Sequence, residues 1–208
     1  GRQRVVVRLQ IRDRVAGEDL SAYDQMVERS LVRMEGMRKL ILDLLDMTRI
    51  ESGRKKRDLT DVDAAELARA AIDETFAPAA AEREIAIELH ATGPTDLRAD
   101  RGEVEIILNN LISNAVKYNR DGGRVDVTLT GDDERLTIEV ADTGIGMSEE
   151  EAAKLFGDFV RIKNERTRNI QGSGLGLSIV KKLAALYDGD AGVRSVPDEG
   201  STFTVTLG

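Results

Sequence analysis

Leu136-Thr137-Ile138-Glu139-Val140-Ala141-Asp142-Thr143-Gly144-Ile145-Gly146-Met147 is an alternating apolar run that stops on an acid and two glycines. A side-chain period of two is that of a half-buried strand, and the glycines permit a tight turn and close backbone approach by a ligand. The strand therefore delivers Asp142 to a pocket. A buried carboxylate must find donors, and the exocyclic amine of a purine is one of suitable geometry. Taken alone, Asp-x-Gly-x-Gly is equally a strand-end turn, because both residue types favour turns for backbone reasons. The flanking chain decides between them.

Upstream, Arg124–Thr130 is a second alternating run, joined to Arg135–Ala141 through Gly-Asp-Asp, which predicts a hairpin. Arg101–Asn119 is a strong helix with Val104, Ile107, Leu108, Leu111, Ile112 and Ala115 on one face. Residues 58–62, 85–90 and 97–99 read as strands, and Asp63 caps a helix over 64–84 interrupted near Pro78. Downstream, Ser148 caps a helix to Phe156, residues 157–174 form a long aperiodic loop, and Leu175–Tyr187 is helical. Residues 193–196 and 202–207 close the chain as strands. The expected architecture is α+β, a mixed sheet and helices in two layers.

The helix 101–119 carries Asn110, Asn114 and Lys117 at spacings of four and three, so they share a face. Asn is a mediocre helix former, and an amide oxygen is a hard neutral ligand suited to Mg²⁺, while Lys117 adds a point charge for phosphate. Gly172-Ser173-Gly174-Leu175-Gly176-Leu177 precedes a helix, where exposed amides can converge on an anion. It is neither a Walker loop, lacking Gly-Lys-Ser/Thr, nor a convincing dinucleotide fingerprint. Between the motifs, Phe156 and Phe159 are expected to pin the base of a loop made cationic by Arg161, Lys163, Arg166 and Arg168, a plausible lid over phosphates.

The 208 residues suffice for one sizeable core and a smaller second unit. With 41% hydrophobic and 33% charged residues but 3% aromatic, the chain reads as soluble, with an aliphatic core. A formal charge of −8 argues against a general nucleic-acid surface, so any bound anion is held locally. The absence of cysteine excludes disulfides and thiolate metal sites. No apolar run approaches the roughly 20 residues needed to cross a bilayer. If a parent protein is membrane-bound, its anchor lies outside this stretch.

At the other end, Leu20–Glu51 is the clearest helix. Tyr23, Met26, Ser30, Met34, Met37, Ile41, Leu44 and Thr48 form a coiled-coil seam widened by Val27, Leu31, Leu40 and Leu45. Such a stripe needs a preceding helix, a second copy, or both. Val5–Val15 reads as helical, Ser52-Gly53 ends the long helix, and Arg54-Lys55-Lys56-Arg57 is a basic linker.

Together the motifs resemble the histidine protein kinases of two-component signalling, whose ATP-binding domain belongs to the superfamily shared with DNA gyrase and certain chaperones. Asn110–Tyr118 looks like the N box, Asp142–Gly146 the first glycine box, Leu155–Phe159 the F box and Gly172–Gly176 the second glycine box. Leu42–Gly53 resembles the end of the second helix of the dimerisation hairpin. The resemblance implies a two-layer α/β sandwich of the Bergerat type at 58–208, a basic linker at 54–57, and a partial dimerisation and phosphoacceptor hairpin at 1–53. It implies that Asp142 binds the adenine amine, that Asn114 and nearby Asn110 hold Mg²⁺, and that Lys117 and Arg161 meet phosphates as the catalytic cations. Tyr118, Gly144, Ile145 and Gly146 would flank the nucleotide, and Gly172, Gly174, Leu175 and Gly176 would shape the lid and helix start. It further implies ATP and Mg²⁺ as cofactors, a homodimer through the hairpin, a response-regulator receiver as partner, and a cytoplasmic location.

The chain departs from the family at the acceptor. The hallmark His followed by an acid is absent, and the single histidine, His90, ends a strand with no carboxylate after it, the place of a structural or surface residue. The expectation is a truncated hairpin or a variant that lost its acceptor, unable to label itself on histidine. The alternative is an ATP-dependent interaction module without phosphotransfer. An ATP hydrolase akin to gyrase is disfavoured, because those relatives place a catalytic Glu where this helix has Asn110.

Overall fold

The computed structural model describes residues 20–52, 57–132, 134–162, 164, 166–168, 170 and 172–208. The helix expected at Val5–Val15, most of the basic linker and Lys163 lie outside these. The chain divides into two compact units after Leu42.

Helix α1 spans Leu20–Ser52. Met34 and Met37 are 63% and 64% exposed, and Tyr23, Met26, Ile41 and Leu44 are exposed too, so among the described residues nothing apolar covers the seam. The last turns of α1 belong to the second unit, where Met47 is 7% exposed and Ile50 packs against the core.

The second unit is built on a five-stranded sheet of order β2-β4-β5-β7-β6, formed by Ala86–Thr92 (β2), Arg124–Gly131 (β4), Leu136–Asp142 (β5), Ala191–Val196 (β6) and Gly200–Leu207 (β7). β2 runs parallel to β4, and the other pairs are antiparallel. Leu59–Asp63 (β1) and Asp96–Asp100 (β3) form a separate antiparallel pair. On β5, Leu136, Ile138, Val140 and Asp142 share the buried face, so the parity that buries three aliphatic side chains also buries the acid. Cross-strand partners continue the layer, with Val140 between Val127 and Phe203, and Ile138 between Leu129 and Val205.

Helices cover this face. Arg101–Lys117 (α4) contributes Val104, Ile107, Leu108, Leu111 and Ile112, all fully buried, and Gly176–Ala185 (α6) contributes Ile179, Val180 and Leu183. Burying each such side chain contributes about 1.5–3 kcal/mol. The two-layer α+β expectation is therefore met. The helix expected over 64–84 comes in three pieces. Ala64–Ala70 (α2) passes through a π-helical turn, Ala71–Phe76, into Ala77–Ala81 (α3). Pro78 lacks an N–H and its ring crowds the carbonyl four residues back, and the wide turn just before it, where Ala77 N–H donates to Ile72, relieves that crowding. Glu149–Lys154 (α5) starts at a capping box between Ser148 and Glu151.

A buried polar cluster ties Arg57, the last residue of the basic linker, to the helical layer. Tyr187 Oη donates to Glu103 Oε2 at 2.7 Å and accepts from Asp100 N at 3.0 Å, while Arg57 Nε donates to Glu103 at 3.0 Å and stacks over the Tyr187 ring at 4.3 Å. Burial, then Glu103, pushes the Tyr187 phenol above its ordinary pKa. Tyr187→Phe leaves a buried carboxylate and a backbone amide each one partner short, and should cost roughly 1–3 kcal/mol. Urea titration should show a lower midpoint at unchanged slope; an unchanged midpoint would remove the cluster from the stability account.

Candidate functional site

Asp142 ends β5 at 8% exposure, with its Oδ1 accepting from Gly144 N at 2.8 Å. Burial pushes its carboxyl from 3.8 up to about 6, against the opposing pull of the Gly144 and Ser201 amides. The following loop is fastened on both sides: Thr143 N donates to Arg124 O, Ile145 N to Tyr118 O, and Met147 N to Ser195 Oγ. Gly146 holds φ +59° directly beneath the Val196 carbonyl, where any side chain would collide. An open cleft of about 410 Å³ runs beside this loop, reaching Ile145 and Gly146 on one wall and Arg166 and Asp198 on another. Asp142 does not line it.

Helix α4 presents Asn110, Asn114 and Lys117 from one side. Asn110 Nδ2 donates to Ile106 O at 2.8 Å, and its Oδ1 abuts Gly176, where a methyl group would overlap it. The N-terminus of α6 is thus brought against the amide-bearing face of α4. Asn114 is half-buried and its side chain makes no hydrogen bond among the described residues. Lys117 is exposed. Tyr118 has its phenol pushed up by burial, with the nearby positive charge of Arg161 pulling the other way. Its carbonyl, taking the Ile145 amide, joins the end of the helix to the glycine turn.

Sequence reasoning missed the devices that hold these groups. Arg83 caps the C-terminal end of α4, donating to Val116 O and Asn119 O at 2.7 Å each and to Asp121 at 2.8 Å. Asn119 is buried and bonds to Arg120 N and Arg124 O. An Arg before a strand carries no signal of this role; Asn just after a helix is a weak one.

Arg161 Nη2 donates to Ile170 O at 2.6 Å, bridging the long loop from one limb to the other. Thr167 is buried and bonds Ile162 O and Asn164 N, while Arg166 pairs with Asp198 on the β6–β7 turn. Gly174, at φ +77°, packs against the backbone of Phe159 and Val160, and Leu175 is fully buried; Gly172 has open space around it. Phe159 departs from expectation. At φ +59° it is 61% exposed and does not pin the loop, whereas Phe156 packs against the core beneath Lys181. A positive φ rotates the Phe159 side chain away from the face that Phe156 shares with the core.

His90 is half-exposed on the outer face of the sheet, beside Glu88 and Asp126. Arg124 Nη2 already meets that pair, 2.6 Å from Asp126 and 3.5 Å from Glu88.

The description "Histidine kinase-, DNA gyrase B-, and HSP90-like ATPase" matches residues 99–208. The chain belongs to this ATPase family. Similar curated proteins are an uncharacterized sensor-like histidine kinase of Rhizobium meliloti, 36% identical over 94% of this chain and 38% of its own length, and SenX3 of Mycobacterium tuberculosis, 31% identical over 92% and 47%. The chain thus spans under half the length of these relatives. Among solved structures, full-length ShkA in complex with AMPPNP superposes with a TM-score of 0.73 at 30% identity, covering 91% of this chain and 40% of that one. Acinetobacter baumannii AdeS shares the fold at a TM-score of 0.72 and 21% identity, over 99% of this chain and 93% of its own. This ATPase-family domain is of the sensor histidine kinase type, and ATP is the nucleotide its family uses.

Proposed function

We propose that the chain binds Mg²⁺-ATP and transfers the γ-phosphoryl group to a histidine of a dimerisation hairpin, for relay to a response-regulator receiver domain. The observation that carries this is the meeting of Asn110 with Gly176, which sets neutral oxygen ligands at the start of a glycine-led helix. In this reading residues 58–208 are the catalytic domain, 54–57 the linker and 1–53 part of the hairpin, whose exposed seam is covered by a second copy of the chain. The receiver as partner is supported by ThkA, a fold neighbour seen in complex with response regulator TrrA. Among the described residues no helix is long and apolar enough to cross a membrane, and a cytoplasmic location is part of the proposal.

Asp142 accepts the adenine amine, with Gly144, Ile145, Gly146 and Tyr118 around the base and sugar. The hard neutral oxygens of Asn114 and Asn110 suit Mg²⁺, and the Asn114 amide, which makes no hydrogen bond among the described residues, fits that role. The cation, when bound, supplies charge neutralisation along the phosphates. Lys117 and Arg161 hold the γ-phosphoryl in line, while Gly172, Gly174, Leu175 and Gly176 shape the loop around it. A hairpin imidazole nitrogen attacks phosphorus, the bond to the β–γ bridging oxygen breaks, and ADP leaves with the electron pair. His90 faces away from the helical layer and is not the acceptor.

The test is transfer of γ-labelled phosphate by the chain alone and with an added hairpin carrying an acceptor histidine. Acid-labile label is expected on the added hairpin, falling at least about 100-fold in Asn114→Ala, as loss of a transition-state charge contact implies. Saturable ATP binding with no label on any hairpin would overturn phosphotransfer and favour the nucleotide-gated interaction module.

A further inference from the structure

The end of α1 inserts one acid into the second glycine box. Asp43 is 6% exposed, and its Oδ2 accepts from Ser173 Oγ at 2.5 Å. Ser173 Oγ in turn accepts from Leu175 N at 3.2 Å. Leu175 precedes α6, a helix with no side-chain cap at its N-terminus, so the carboxylate lies one hydroxyl away from the positive end of a helix dipole. Met47 and Ile50, one and two turns along the same face of α1, pack against the core and hold the acid in place. A buried carboxylate at a glycine-rich helix start is an anion already seated where such loops take anions.

We infer that Asp43 is a built-in competitor for the terminal phosphates of ATP, so that nucleotide binding at Gly172–Gly176 and seating of the end of α1 exclude one another. This rests on the nucleotide reading proposed above and adds a regulatory role to one acid outside the four boxes. Two anions cannot share one short donor set without mutual repulsion, and the phosphates bring more charge. The coupling is reciprocal: ATP releases residues 43–52 from the domain, and anything that draws α1 away, such as tighter packing of its exposed seam in a bundle, raises ATP affinity by the same factor. Asp43 is a positioning residue in this scheme, since it touches neither nucleotide nor acceptor.

The test compares the wild-type chain with Asp43→Asn, Asp43→Glu and Ser173→Ala, each titrated with Mg²⁺-ATP by calorimetry, with amide hydrogen exchange followed over residues 43–52. Asp43→Asn should bind ATP about 5- to 30-fold more tightly, within the usual span of coupling between sites, and Asp43→Glu should stay near wild type. In the wild type, saturating ATP should strip protection from 43–52. In Asp43→Asn and Ser173→Ala that segment should be less protected before nucleotide is added. If wild type and Asp43→Asn bind ATP equally and 43–52 keeps its protection on binding, competition is wrong while the nucleotide site stands. If the wild type binds no ATP, the nucleotide reading fails and takes this inference with it.

Discussion

Asp142→Asn should weaken Mg²⁺-ATP binding by about 100-fold, because a buried hydrogen bond to a charged acceptor is worth roughly 1.5–3 kcal/mol and the amide substitutes a donor for half of that acceptor. The same carboxyl sets the pH dependence. Its folded pKa of about 6 lies above the ordinary 3.8, so the proton is held more tightly in the native chain than in the unfolded one. Affinity for ATP should therefore fall as pH drops through 6 and the acceptor is protonated. Stability runs the other way. Burying the charge costs nothing below pH 3.8, where both states are protonated, and the cost grows through the window up to pH 6, reaching roughly 3 kcal/mol above it. Asn carries no such cost, so its stability relative to wild type should improve between pH 4 and 6 and then level off. Nucleotide titrations and thermal melts of both proteins across this range check the two halves. Unchanged affinity in Asp142→Asn would remove the residue from the site.

Gly146→Ala should be the most damaging small substitution in the first glycine box. A left-handed φ costs a Cβ-bearing residue about 1–2 kcal/mol, and forcing a methyl into occupied space about 1–3 more, so a loss of roughly 3 kcal/mol is expected. The colliding atom is the Val196 carbonyl, which belongs to the sheet and cannot swing aside. Gly122 is the internal control: its φ is +69°, yet nothing lies within 4 Å of where its Cβ would be. Gly122→Ala should therefore cost only about 1–2 kcal/mol and leave ATP binding alone. Equal denaturation midpoints for the two variants would show that strain, and not the close approach to β6, governs both.

What could be read from the residues follows where the physics is local. The alternation of β5 placed Asp142 on the buried face, and the spacing of Asn110, Asn114 and Lys117 put them on one side of α4, because both are properties of a single element's period. The capping box at Ser148 is equally local. The misses are tertiary. Asp43, Met47 and Ile50 form a face of α1 that the methionine-rich seam overshadows, and only the docked core shows that this second face is used. Arg83 gives no local hint that it closes the far end of α4. Phe159 misled because an aromatic near a loop base is usually buried, whereas a positive φ turned this one outward.

The strand pairing has a consequence for how the chain comes into being. Arg124–Asp142 closes as a local hairpin, but Ala86 must find Arg124 and Asp142 must find Ser201 across much longer stretches. Contacts of high sequence separation form late, since the intervening chain loses its freedom before they contribute. The wall that buries the Asp142 carboxyl includes β7, the C-terminal strand of the sheet. A nascent polypeptide emerging N-terminus first therefore cannot finish this pocket until β7 has left the ribosome, however early the Arg124–Asp142 hairpin closes.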